Sequence, residues 1–513
     1  MVRRLTVLTL SLVAAVAGVL VLASPRAASP APISIRQSEA TATALPGAGA
    51  MLALRTVPLA PADGSTSDWY GACTALSGDT AIVGSPHSAV NDLVKAGAVY
   101  VFVDSDGVWT QQAELTAPDA AAKDSFGSAI ALDGDTAVIG APNKTFAGKE
   151  QAGVTYVFTR SGTTWSKQAE IADPAGKDYD AFGGTVALQG DTALIAGWGT
   201  GDYDQEQQMT SKAYVFTRTG STWTEQRRLK DPDAGDTDEF GYSLALDGDT
   251  ALVGAELDED LGAAYFYSRS GGLWPLRQSL EEPNMTSNEA SFGSAVALSG
   301  DTAVITDTDL IGGGVANVYR LEKGKWRFRQ TLRDASYGWS AAVSGGTMVI
   351  GGGRASYVYT RSAKRWIFNG KLLEPAAATG HSFGALALAG TTAIVGDPGD
   401  TDGKDVVYGT AWAAHVGAMP RTSLKAAPAS ILTGQAVKLT GHVTNPVAGQ
   451  KTVAIYRQLK HHKLALLKKV TLRSDESYAW TLHPRRSGSW SLFATYTAAG
   501  IMSPSPVRTL SVR

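Results

Sequence analysis

The stretch SFGSAIALDGDTAVIGAPN, Ser125 to Asn143, carries the pattern that decides the fold. Two short apolar runs, SAIAL and TAVIGA, flank Asp133-Gly134-Asp135-Thr136. Asp-Gly between two β-prone runs signals a tight hairpin, because Gly accepts the positive φ that such a turn needs. The turn recurs along the chain. GDT places its Thr at Thr80, Thr136, Thr192, Thr250 and Thr302, and the weaker copies GGT and GTT place Thr347 and Thr392. Ahead of each lies an aromatic followed by Gly: Tyr70-Gly71, Phe126-Gly127, Phe182-Gly183, Phe240-Gly241, Phe292-Gly293, Tyr337-Gly338 and Phe383-Gly384.

Each unit reads as four short strands. SAIAL is the first, TAVIGA the second and VTYVF the third, which returns as GAVYVF, KAYVF, AAYFY, ANVYR and SYVYT. The fourth begins at a Trp: Trp109, Trp165, Trp223, Trp274, Trp326 and Trp366. Four antiparallel strands repeated every 45 to 58 residues argue for propeller blades. Seven turns meet only six Trp strands. MLALRTVPLAPADGSTSDWYG matches TQQAELTAPDAAAKDSFG in pattern, so Met51 to Leu59 supply the missing strand beside AWAAHV. The expected fold class is therefore all-β: a seven-bladed β-propeller over residues 51–418, closed by an N-terminal strand that leaves no dangling sheet edge, and a second β domain over 419–513.

These units resemble FG-GAP repeats, the blades of the integrin α-subunit head, and more closely the bacterial variety with GDTA at its centre. The resemblance runs over about residues 51 to 417, although Gly-Ala-Pro is complete only at Gly140-Ala141-Pro142. It implies a ligand face made by the loops between strands two and three and between strand four and the next strand one. Calcium-bearing members of that family hold the ion in a long acidic hairpin between strands one and two. Calcium needs six to eight oxygens, and LDGDT offers two carboxylates; LQGDT and LAGTT offer fewer. The usual calcium hairpin is absent, and the expected cofactor is none, with calcium in the acidic loops elsewhere as the alternative. An Asp two residues ahead of the aromatic, at Asp68, Asp124, Asp180 and Asp238, suits a turn cap.

Residues 1–23 read as an export signal: Arg3 and Arg4, then an apolar run, then small residues at Val21 and Ala23. An uncleaved anchor is the alternative, since the run is barely long enough to span a membrane. Residues 24–50 read as a flexible linker, and the expected location is secreted, with cell-wall association as a further option. The single cysteine, Cys73, takes the position held by Ala129, Thr185, Ser243 and Ala295 in other units, so it reads as a small buried filler. The net charge of −3 hides two opposed halves. Residues 421–513 carry 14 Lys and Arg against Asp475 and Glu476, whereas the preceding chain after Arg4 carries 29 against 46 acidic residues.

The longest loop after a second strand, GWGTGDYDQEQQMTSK, holds Trp198, Asp202, Tyr203 and Asp204, and AELDEDLG holds Asp258, Glu259 and Asp260. Aromatics beside carboxylates suit a sugar or a cationic peptide, so these seven are the candidate ligand residues, with an unidentified protein or glycan as partner. Catalysis finds little support. The propeller has only His87, His381 and His415, and no G-x-S-x-G, H-E-x-x-H or paired-Cys spacing. DSDGVWT, Asp104 to Thr110, partly resembles a sialidase Asp-box, but its counterparts RSGTTWS and RTGSTWT lack the Asp. The expected role is binding or adhesion without catalysis; a polysaccharide-binding lectin or glycan-active enzyme is the alternative. LTGQAVKLTGHV and RRSGSWSLFATY in the tail resemble bacterial Ig-like domains, which implies a β-sandwich. Its candidate basic surface is Lys460, His461, His462, Lys463, Lys468 and Lys469, and the expected partners are an anionic cell-wall polymer, a membrane surface or the chain's own acidic propeller rather than nucleic acid.

Overall fold

The computed structural model describes residues 56–62, 69–197, 212–230, 239–256, 262–283, 291–308, 314–333, 337–352, 355–363, 365–373, 385–399, 409–416, 421–444, 452–459, 464–498, 501–505 and 508–513. Among these residues every regular element is a strand. The repeating unit is a four-stranded antiparallel sheet whose strands pair in chain order. Sheet 1 is Thr74–Ser77, Thr80–Ser85, Ala98–Ser105 and Val108–Leu115. Sheet 2 is Ala129–Asp133, Thr136–Ala141, Val154–Ser161 and Thr164–Ile171, and sheet 3 is Thr185–Gln189, Thr192–Gly197, Lys212–Thr219 and Thr222–Leu229. Sheet 4 is Phe240–Asp247, Thr250–Ala255, Ala263–Ser268 and Leu276–Leu280. Sheet 5 is Phe292–Ser299, Thr302–Asp307, Val315–Glu322 and Lys325–Arg333, and sheet 6 is Tyr337–Ser344, Thr347–Gly352, Ala355–Ser362 and Arg365–Leu373. Sheet 7 joins Ala385–Ala389, Thr392–Asp397 and Thr410–His415 to a strand from the far end of the chain, Thr56–Leu59, with Thr56 opposite Ala414 and Leu59 opposite Ala411.

The first strand of each sheet packs on the first strand of the next, and Ala385–Ala389 of sheet 7 packs on Thr74–Ser77 of sheet 1. A hydrophobic cluster sits between each neighbouring pair. Ile82, Val99 and Val101 meet Phe126, Ile139 and Tyr156 between sheets 1 and 2, while Ala81, Val83 and Tyr100 meet Ile394, Ala411 and Leu59 between sheets 1 and 7. Neighbours cover both faces of a sheet, so the second strand is buried along its whole length in Thr80–Ser85, Thr136–Ala141 and Thr192–Gly197. That is why TAVIGA is a continuous apolar run rather than an alternating one. The fourth strand is the outermost and is only partly buried, as in Thr164–Ile171.

One expected boundary moves. The fourth strand of sheet 4 starts at Leu276, not at Trp274, because Pro275 has no N–H to give a ladder. The tail, residues 421–513, forms two further sheets. Val437–Thr444 pairs with Ser477–Leu482, Lys425–Ala427 and Arg421–Thr422; Gly488–Ala498 pairs with Thr452–Gln458, Ile501–Pro504 and Arg508–Val512. Both contribute to one core that includes Leu439, Val453, Ile455, Tyr478, Trp490, Leu492 and Leu510.

Candidate functional site

Each sheet presents two ends, and they do different work. At one end lies the GDT hairpin. In six of the seven turns a Gly N–H donates to a side chain in the preceding sheet: Gly134 to Ser77 Oγ at 2.9 Å, Gly190 to Asp133 Oδ2 at 2.6 Å, Gly345 to Ser299 Oγ at 3.0 Å and Gly390 to Ser344 Oγ at 2.9 Å. Gly248 donates to Gln189 and Gly300 to Asp247 in the same way. The Thr of GDT is also taken. Arg160 Nη1 reaches Thr80 Oγ1 at 3.0 Å, and Arg218 Nη1 reaches Thr136 Oγ1 at 3.0 Å. Each Arg pairs with the Asp of its own turn, Arg160 with Asp135 and Arg218 with Asp191, both at 2.7 Å. Each guanidinium then lies over the Trp that follows it, 5.2 Å from Trp165 and 5.3 Å from Trp223. The indole N–H of Trp165, Trp223 and Trp274 donates to Gln112, Gln168 and Gln226 of the preceding sheet at 3.0, 3.1 and 2.9 Å.

Asp133 and Asp135 are therefore acceptors for the next sheet's turn and for Arg160. Sequence reasoning missed this clamp. Its signal was present: Arg stands five residues before Trp in TRSGTTW, TRTGSTW, SRSGGLW and TRSAKRW, and in the first three a Gln follows three or four residues after the Trp. Among the described residues no group of three or more His, Cys, Asp or Glu is placed to hold a metal ion.

At the other end lie the aromatic-Gly and Gly-Ala-Pro segments. Gly127 N–H donates to Gly140 O at 2.9 Å, which joins the two within one sheet. Between sheets the glycines almost touch. A Cβ on Gly140 would lie 1.9 Å from the Gly183 carbonyl oxygen, and one on Gly396 would lie 2.1 Å from that of Gly71. Cys73 belongs to this seam. Its thiol donates to Gly127 O at 2.8 Å, as Ser243 Oγ donates to Gly293 O at 2.7 Å. Burial pushes the thiol pKa up, so the sulfur keeps the proton it donates.

Loops at this end are tied by buried charge. In sheet 2, Lys144 Nζ lies 2.9 Å from Asp124 and 3.2 Å from Asp119. Burial opposes ionisation of Asp119, but hydrogen bonds from Tyr156 and Lys144 outweigh it and hold the carboxyl below its usual range. In sheet 3 the lysine comes from a different place, Lys212, and pairs with Asp180 at 2.8 Å while Tyr214 donates to Asp173. Asp173, Asp180, Phe182, Gly197, Lys212 and Tyr214 line a small recess there. Asp124 and Asp180 also cap turns, accepting from the N–H of Ala121 and Lys177 at 2.8 Å each. Asp68 and Asp238 lie outside the described residues.

Trp198, Asp202, Tyr203, Asp204, Asp258, Glu259 and Asp260 all lie outside the described residues. The strands that flank them, Thr192–Gly197, Lys212–Thr219, Thr250–Ala255 and Ala263–Ser268, bring the chain to this same loop end. Glu256, beside them in sequence, is described. Burial, and then the neighbouring Glu239, push its pKa up to about 7. One exposed aromatic pair also stands at this end. Trp69 is 50% exposed, and its indole stacks on the His87 imidazole with ring centres 4.3 Å apart and 23° between planes. Of the basic candidates, Lys468 and Lys469 are exposed on Leu464–Thr471, and Lys460 to Lys463 lie outside the described residues. Nearby in the same sheet Arg457 stacks 3.6 Å over Trp490.

No curated protein matches the chain. A model of the FG-GAP repeat matches at residues 55–102, 109–158, 165–216 and 223–267. The first three segments each run from the outer strand of one sheet through three strands of the next, and the fourth reaches the third strand of sheet 4. The first begins on the strand that pairs into sheet 7. FG-GAP repeats in a chain of recurring four-stranded antiparallel sheets support an FG-GAP β-propeller.

Proposed function

We propose a secreted or cell-surface binding protein in which a seven-bladed propeller, closed by its N-terminal strand, presents a ligand face and is followed by an Ig-like sandwich. FG-GAP repeats suggest an integrin-like extracellular repeat protein. The division of labour between the two sheet ends carries the reading further. The turn end spends its Asp, Thr, Arg and Gln side chains on links between sheets. The loop end carries side chains that differ from sheet to sheet on a frame fixed by buried ion pairs, and this is how binding loops are built. The ligand is a protein or a glycan held by Trp198, Tyr203, Asp204 and the carboxylates of Asp258 to Asp260, without metal or cofactor and without turnover. A lectin or glycan-active enzyme is the alternative, and the exposed Trp69–His87 stack favours its lectin form.

The full chain on glycan and peptide arrays tests this. A ligand whose affinity falls in the triple variant Trp198→Ala, Tyr203→Ala, Asp204→Ala supports the ligand face. A bound glycan that is cleaved overturns the non-catalytic reading, and no ligand of either class leaves a spacer. The basic tail is proposed to hold an anionic wall polymer through Lys460, Lys463, Lys468 and Lys469. Binding of the full chain to isolated walls should then fall steeply between low and high salt; salt-independent binding counts against it.

A further inference from the structure

We infer that Trp69 and His87 form a platform for a carbohydrate, with the free indole face taking the apolar face of a pyranose ring. The inference rests on the reading of the loop end as a ligand face and names the ligand class for one part of it.

Three observations carry it. Trp69 sits at the residue before the aromatic-Gly pair, where Ser125, Ala181 and Glu239 stand in sheets 2, 3 and 4. The backbone there is left-handed in all four, with φ of 70°, 57°, 50° and 51°. A turn enforces it, in which the carbonyl of this residue accepts from the N–H three positions on, as Trp69 does from Ala72 at 3.1 Å. A bulky side chain is strained in that region, and half of Trp69 is exposed, so the ring gains little by burial. The side chain thus costs the fold strain and returns little packing.

The second observation is preorganisation. His87 belongs to the loop after the second strand of sheet 1, and that loop is held by its own bonds: Ser88 N–H to Ser85 O at 3.1 Å, Ser88 Oγ to Ser85 Oγ at 2.9 Å and Gly97 N–H to Ser88 O at 3.0 Å. Stacking on the imidazole fixes the plane of the indole, so binding need not order it. The third is chemistry. A half-exposed flat ring complements the C–H face of a pyranose, and the loop that carries His87 also carries the exposed polar side chains of Asn91 and Asp92.

The test uses the full chain against immobilised α- and β-linked hexasaccharides of glucose, N-acetylglucosamine and xylose at millimolar concentration. Trp69→Gly is the decisive variant, because Gly accepts the left-handed backbone and removes only the ring. Its melting temperature should equal or exceed that of the wild type while affinity for the bound hexasaccharide falls at least about tenfold. Trp69→Phe should retain part of the affinity, and His87→Ala should weaken it. Unchanged affinity in Trp69→Gly overturns the platform. So does the absence of any hexasaccharide binding; if the same preparation then binds a peptide, the ligand-face reading survives while the platform does not.

Discussion

Asp133 shows how a residue with several plausible roles is decided by a partner 57 positions away. In sequence it is a turn former or a metal ligand; in the fold its carboxylate receives the Gly190 N–H at 2.6 Å. The glycines are more demanding. A methyl group on Gly140 would sit 1.9 Å from the Gly183 oxygen, against backbone that no rotamer can move. Gly140→Ala should therefore cost about 3 kcal/mol or more in a denaturant titration, whereas Gly134→Ala, with nothing within 4 Å of its Cβ, meets only the strain of φ 55° and should cost about 1 kcal/mol. Glu256 gives a pH signature. Its folded pKa of about 7 stands above the usual 4.5, first through burial and then through Glu239. The folded state thus binds the proton more tightly, so this contribution to stability is complete below about pH 4.5 and is lost as pH rises through 7. Glu256→Gln should match the wild type at pH 4 and be the more stable at pH 8, by up to about 3 kcal/mol; equal stability at pH 8 would place the carboxylate in water.

At the scale of elements, six turn-to-sheet rungs run from Ser77 to Ser344, each joining a side-chain oxygen to the next turn's Gly N–H. The seventh position holds Ala389, which has no oxygen to offer Gly78 of sheet 1. Ala389→Ser should supply that rung and raise stability by about 1 kcal/mol, while Ser344→Ala should lower it by a similar amount. A neutral Ala389→Ser would mean that sheet 7 meets sheet 1 in a different register at this end. The strands themselves were legible in the sequence, because a hairpin of GDT type and an alternating or continuous apolar run are local signals. The boundary at Leu276 was legible too, had Pro275 been weighed above Trp274. The clamp of Arg, Trp, Thr and Gln was not read, since its bonds between sheets join residues 48 to 82 positions apart that meet only when neighbouring sheets pack. The candidate ligand loops could be singled out only by composition, because loops of different length in each unit share no period. The Trp69–His87 pair was missed for a related reason: each ring lies in a different loop, and the recurring position before the aromatic-Gly pair holds a Trp only at Trp69.

Over the whole molecule, sheet 7 is completed by one short strand from the far end of the chain. Thr56–Leu59 covers the edge of Thr410–His415, and Leu59 is buried in the cluster with Tyr70, Val83 and Tyr100 of sheet 1. Tyr70 Oη donates to Leu59 O at 3.0 Å, so the strand is bound to sheets 7 and 1 together. The four segments matched to the FG-GAP repeat begin one strand ahead of each sheet, which leaves such a strand over at the start and a gap at the end of any whole number of units. Removing residues 51–59 should therefore affect two interfaces at once. An edge of unpaired N–H and C=O groups opens on Thr410–His415, and the apolar cluster of sheets 1 and 7 loses Leu59. The shortened chain should melt at a lower temperature than the intact chain, with added self-association through the bare edge. A synthetic peptide of residues 51–62 should bind it and restore much of the lost melting temperature, as an added strand does for any open sheet. A peptide with Leu59→Asp should fail, because the carboxylate would enter an apolar cluster without a partner. An unchanged melting temperature in the shortened chain would show that sheet 7 stands on three strands and that the ring does not depend on this clasp.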